Sequence, residues 1–155
     1  MSVLLEVNDL KKHFLVRRGF LGAHATWVYA VDGISFHVAR GETLALVGES
    51  GCGKSTVGRA VLRLFEITAG QVVLDGQRID DLPVGALRPL RRRVQVVFQD
   101  PFSSLNPRMR VRDILAEPIR NFGLAASSAD MRARINALLD KVRLPREAAS
   151  RFPHE

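Results

Sequence analysis

An α/β fold organised around a phosphate-binding loop is predicted by three observations along this chain. A continuous apolar run, Thr43-Leu44-Ala45-Leu46-Val47, leads directly into the glycine-rich segment Gly48 to Ser55. Apolar residues at helical spacing follow that segment, and short strand-like stretches punctuated by Asp and Gly surround it. With 155 residues, 46% of them apolar and 25% charged, the composition is that of one globular domain or of part of a larger one.

In chain order, Val3 to Val7 and Ile34 to Val38 read as strands, with Asp32-Gly33 as a turn signal before the second. The segment Arg17 to Thr26, of mixed polarity with two Gly, reads as an insertion or loop. Arg40-Gly41-Glu42 is a turn that feeds Thr43 to Val47, whose unbroken apolar character suits a parallel strand buried on both faces. After the glycine-rich loop, Val57, Ala60, Val61, Leu64 and Phe65 share one helical face, with Arg59 and Arg63 on the other. Gly70 to Leu74 and Val94 to Phe98 are strand candidates, closed by Asp75-Gly76 and by Gln99-Asp100-Pro101. A loop over Ser103 to Pro107 precedes helices predicted at Val111 to Phe122 and Ala129 to Val142, the second with Met131, Ile135, Leu138, Leu139 and Val142 on one face.

Several function classes are excluded by composition. The single Cys52 makes no internal disulfide, and the longest uncharged run, Gly19 to Val31, is far short of the roughly 20 apolar residues of a membrane helix. The N-terminus has no basic region followed by an apolar core, which sets a cytoplasmic location as the expectation. The net charge of +7 is concentrated between Arg88 and Arg112, where seven Arg face only Asp100. This is either a solvated face or a contact with a polyanion. Aromatics at 6% are too sparse for a base-stacking platform, so a nucleic-acid partner is not expected.

Gly48-Glu49-Ser50-Gly51-Cys52-Gly53-Lys54-Ser55 matches the phosphate-loop spacing of two Gly five apart followed by Lys and Ser or Thr. Glycines let the backbone wrap a polyphosphate, so that successive amides and the following helix N-terminus point at it. Lys54 then supplies the counter-charge to the β- and γ-phosphates, Ser55 a hydroxyl for Mg²⁺, and Thr56 reaches the α-phosphate. A plain helix cap would need only the Ser or Thr and explains neither Lys54 nor the second Gly. Cys52 fills a position that requires only a small side chain.

Further stretches carry a resemblance across the whole chain. They are Leu10 to Phe14, Ala30 to Phe36, Gly41 to Thr56, Arg92 to Met109 and the terminal Arg151-Phe152-Pro153-His154-Glu155. In these stretches the chain resembles the ATP-binding subunits of ABC transporters, within them the second ATPase of oligopeptide and dipeptide importers, up to the point just before the family's signature loop. The resemblance implies the N-terminal portion of a P-loop NTPase of ABC type: a core of antiparallel strands, P-loop strand and helix over about 1–102, then a Q-loop and incomplete helical subdomain over about 103–155. It implies ATP and Mg²⁺ as ligands, Gln99 as the Q-loop glutamine that reaches Mg²⁺ and the attacking water, and Phe14 as the aromatic that stacks on adenine, with Trp27 and Tyr29 as neighbouring competitors. The implied partners are membrane permeases, a second ABC ATPase subunit and, indirectly, a periplasmic or extracellular solute-binding protein, at the cytoplasmic face of the membrane. The Arg-rich window would then lie near the permease and the inner leaflet.

The family's signature loop, Walker B strand with its catalytic Glu, and switch His have no counterpart in these 155 residues. Asp75 and Asp100 each follow an apolar run and imitate a Mg²⁺-binding Asp, but the first belongs to a hairpin signal and the second to the Q-loop. His154 and Glu155 have nothing to orient them as an acid/base pair. The expectation for these residues alone is therefore nucleotide binding without hydrolysis; a non-catalytic remnant and a nucleic-acid-associated ATPase are the alternatives.

Overall fold

The computed structural model describes residues 2–18, 24–100 and 102–155. The chain divides into two compact units, Met1–Val94 and Gln95–Glu155.

The first unit is built on a four-stranded antiparallel sheet of order β2-β1-β3-β4, formed by β1 (Val3–Arg18), β2 (His24–Ala39), β3 (Ala69–Leu74) and β4 (Gln77–Arg78). The two strands read from sequence at the N-terminus are the inner parts of much longer ones, which pair from Val3↔Ala39 to Arg18↔His24. The loop expected over Arg17 to Thr26 is corrected accordingly: 17–18 and 24–26 are strand, and 19–23 lie outside the described residues. Thr26, Trp27 and Val28 face Val16, Leu15 and Phe14 across the ladder, and β-branched and aromatic pairs of this kind stabilise it. Asp32-Gly33 does not turn the chain either. Gly33 sits inside β2 with φ +83°, where the register shifts between Leu10↔Ile34 and Lys11↔Asp32, so the positive φ read as a turn makes a bulge.

Since β1 is flanked by β2 and β3, its central Val7 and Leu10 are wholly buried. Helix α1 (Lys54–Val61) adds Val57 and Ala60 to the same core, which also holds Val31, Val72, Leu74, Ile79 and Leu87. α1 stops before the apolar pattern does. Arg63 takes a left-handed conformation at φ +51°, its N–H donates to Ala60 O (2.9 Å) and the Leu64 N–H donates back to Arg59 O (3.0 Å). Leu64 is consequently exposed. A second helix, α2 (Val84–Leu90), starts behind Pro83 and buries Leu87; seven residues with Pro89 among them show too little periodicity to be read from sequence.

Two strand expectations are overturned. Residues 43–47 and 94–98 are in no strand, and Leu44, Leu46, Val47, Val96, Val97 and Phe98 are exposed, Val97 to 94%. A parallel strand exists only by pairing with neighbours on either side. No described strand pairs with either segment, so an apolar run of the right composition stays outside the sheet.

The second unit is helical: α3 (Val111–Asn121), α4 (Ser128–Lys141) and a 3₁₀ turn (Arg146–Ser150). Ala116, Ile119, Ile135 and Leu139 form its core, with Met131 packed against them. Leu138 and Val142, expected on the same face, are exposed instead. Ser127 caps α4 by accepting the Asp130 N–H at 3.1 Å. No helix among the described residues is long and apolar enough to cross a membrane.

Candidate nucleotide-binding site

The loop of residues 48–53 is held by contacts that only its own residue types allow. Gly53 has φ +97°, and a Cβ there would fall 2.3 Å from the backbone oxygen of Ala30 in β2. Any side chain would therefore push the loop off the sheet. At Gly48 a Cβ would lie 2.7 Å from Cys52 Sγ, so the small Cys52 side chain already fills that space. The loop rests against β2 through backbone, which a reading by side chains does not reveal.

α1 begins at Lys54 with Gly53 as its N-cap, and the cap position offers no side-chain hydrogen bond. Its helical bonding starts with the Val57 N–H donating to Gly53 O at 2.9 Å, so the amides of Lys54, Ser55 and Thr56 precede the ladder. The first turn carries no acidic residue. Among the described residues no side chain caps this end and no carboxylate stands in its first turn, so these amides and the positive end of the helix dipole suit an anion. Ser55, Gly51 and Cys52 are exposed, and Lys54 and Thr56 are half-buried. The Lys54 ammonium folds back over the loop, donating to Gly48 O at 2.7 Å and to Glu49 O at 2.6 Å, with Cys52 Sγ at 3.5 Å. The loop thus places a positive charge at its own mouth, held by two backbone oxygens that a stronger acceptor can replace.

Phe14 stands on β1 with its edge against Phe65 (centroids 5.7 Å apart, planes at 78°), and Lys12 Nζ lies 4.8 Å from the Phe14 ring and 5.3 Å from Phe65. Phe65 was legible only as part of an extended helical face; beyond the end of α1 it backs Phe14 instead. Trp27 and Tyr29 pair with Leu15 and His13, one position either side of Phe14, which puts them on the opposite face of the ribbon. Tyr29 is in edge contact with the His13 ring, 4.5 Å between centroids.

Gln99 belongs to the second unit, is exposed and lies in a bend rather than at the end of a strand. The adjoining turn is organised by Asp100, whose Oδ1 accepts the amides of Phe102 (3.1 Å) and Ser103 (3.3 Å). Asp100 is thus a turn former. Asp75 is equally committed: it receives Arg93 and Arg40 on its two oxygens, which hold its carboxyl below the usual carboxylate range, Arg93 contributing most. Among the described residues no group of three or more His, Cys, Asp or Glu could hold a metal ion by itself. The Arg-rich window is also partly engaged: Arg91 donates to Leu62 O (2.6 Å) and Arg63 O (2.9 Å) at the end of α1, while Arg93 is on Asp75.

The family model described as "ABC transporter" matches residues 31–155. The chain is 48% identical over 152 residues to the glutathione import ATP-binding protein GsiA of Escherichia coli (strain K12), covering 98% of this chain and 24% of that protein, and equally to its counterpart in Salmonella typhi. It therefore spans about a quarter of these curated relatives. Among solved structures, the dimeric post-hydrolysis state of the ATP-binding cassette MJ0796 bound to ADP and Pi superposes with a TM-score of 0.77 at 25% identity, covering 97% of this chain and 62% of that one. A second dimeric structure of the same cassette gives 0.76. By its loop, its sheet and this match over most of its length, the chain belongs to the ABC transporter family.

Proposed function

We propose that these residues are the nucleotide-binding portion of the ATPase subunit of an importer for peptides or similar solutes. The observation that carries the reading is the uncapped N-terminus of α1 beneath a glycine loop closed by the Lys54 ammonium. ATP would enter by replacing Gly48 O and Glu49 O as acceptors for Lys54, while the amides at the start of α1 and the loop take the phosphate oxygens. Glu49, Ser50, Gly51 and Cys52 contribute backbone to that cradle, and Thr56 lies one residue beyond Ser55 at the α-phosphate end. The Ser55 hydroxyl is a side chain that would hold Mg²⁺, which when bound would supply neutralisation of the phosphate charge. Phe14, backed by Phe65 and Lys12, is the surface we assign to adenine.

The names of the similar import proteins support coupling to transport, with permease subunits and a second ATPase as partners at the cytoplasmic face of the membrane. In the second unit, an open cavity of about 430 Å³ with a floor of Ala116, Met131 and Ile135 and a rim that includes Arg112, Arg120 and Arg132 supports a permease contact there.

The test is binding of a fluorescent ATP analogue to the chain and to Lys54→Ala. Removal of the charged donor should weaken binding about tenfold to a hundredfold; full affinity in the variant would refute the site.

A further inference from the structure

We propose that the outer part of the β1–β2 ribbon is a membrane-surface contact that lies in the interfacial layer of an anionic bilayer. β3 pairs with β1 only from Leu5 to Lys11, whereas β2 continues along β1 to Arg18. Beyond Lys11 the ribbon is two-stranded, and strands so paired are marginal in water unless something covers them.

Exposed apolar side chains stand on both faces. Residues directly opposite in the ladder share a face, so Leu15, Trp27 and Tyr29 stand together on one side and Val16 and Val28 on the other. All five are exposed, Trp27 to 53% and Tyr29 to 64%. Phe14 is left out, being packed on Phe65. A protein partner covers one face of a ribbon, whereas an interfacial layer surrounds both, and the two-sided exposure favours the second.

Charge and residue type favour it too. From Lys12 to Ala30 the sequence holds Lys12, Arg17 and Arg18 and no acidic residue, the sign that an anionic leaflet attracts. Trp and Tyr have rings with an apolar body and a polar tip, which settle at the depth of the headgroups. The backbone limits that depth. β2 is the edge of the sheet and, past His13, whose N–H and C=O are engaged by Thr68 Oγ1, the outer part of β1 has no second neighbour among the described residues, so N–H and C=O groups without a strand partner run along both margins. Such groups stay where water or headgroups can bond them, so the ribbon lies in the interface and does not span.

Trp27 is the chain's single Trp and reports directly on its surroundings. Its emission is titrated with vesicles of mixed phosphatidylglycerol and phosphatidylcholine, with vesicles of phosphatidylcholine alone, and with anionic vesicles carrying a brominated acyl quencher. The expected result is a blue shift and quenching with the anionic vesicles and much less with the neutral ones. Leu15→Glu and Val28→Glu, one on each face, should each weaken binding by about tenfold or more, while the ATP analogue still binds and the circular dichroism is unchanged. Quenching in the unsubstituted chain decides the matter if either variant fails to fold. Absence of shift and quenching with every vesicle, equal binding to neutral vesicles, or loss from one face alone overturns the proposal. A shift that follows protein concentration rather than lipid, the mark of a second copy on the ribbon, overturns it as well.

Discussion

Asp75 shows how a residue that resembles a metal ligand in sequence becomes a structural clamp. It sits in the tight turn between β3 and β4 with φ +52°, and its two oxygens hold Arg93, just beyond α2, and Arg40, in the turn after β2. Those guanidinium groups stabilise the charged carboxylate, Arg93 foremost, so its pKa falls below the ordinary 3.8. A carboxylate with a depressed folded pKa contributes stability that is complete above its unfolded pKa and is lost as pH falls through the folded value. Asp75→Asn should therefore melt lower than the parent at neutral pH, with the gap closing in acid below pH 3.8. Thermal melts at several pH values check this, and a gap independent of pH would contradict the pairing. At Gly53 the residue scale was fully legible: the motif demands Gly, and the Ala30 oxygen 2.3 Å from a would-be Cβ supplies the steric reason.

At the scale of elements, α1 is short and its two ends do different work. Its N-terminus carries no side-chain cap, while its C-terminus is closed by the left-handed Arg63 and by the fork of Arg91 on the carbonyls of Leu62 and Arg63. A guanidinium at that end also complements the negative pole of the helix. Arg91→Ala leaves both carbonyls without that donor, and an unsatisfied part-buried group costs about 1–3 kcal/mol. Urea denaturation should show a loss of that order, with Arg91→Lys in between because an ammonium cannot match two acceptors in a planar fork. An unchanged midpoint would remove Arg91 from this role. The amphipathic spacing of α1, α3 and α4 made these helices readable, since helix bonds close within four residues. Where α1 ends was not readable, because Leu64 and Phe65 continue the pattern past a stop made by backbone conformation and by an arginine 28 residues away.

For the whole molecule, each unit buries a core of its own, and the two clusters share no residue. Leu139 is 1% exposed within the smaller cluster, so Leu139→Ala should cost about 2–5 kcal/mol there. Hydrogen exchange is the suitable measurement, with faster exchange expected in α3 and α4 and protection unchanged at Val7 and Leu10 on β1. Equal acceleration in both units would mean that they unfold as one.

The amino-acid sequence by itself determined the glycine-rich loop, the helices α1, α3 and α4 and the family, because these rest on contiguous residues whose spacing is the signal. Tertiary structure alone decided strand length and strand membership. The ribbon reaches to Arg18 because Thr26, Trp27 and Val28 find partners on β1, and residues 43–47 remain outside any sheet although their composition is that of a strand. A strand is defined by hydrogen bonds to another segment, and the identity of that segment is not contained in the local sequence.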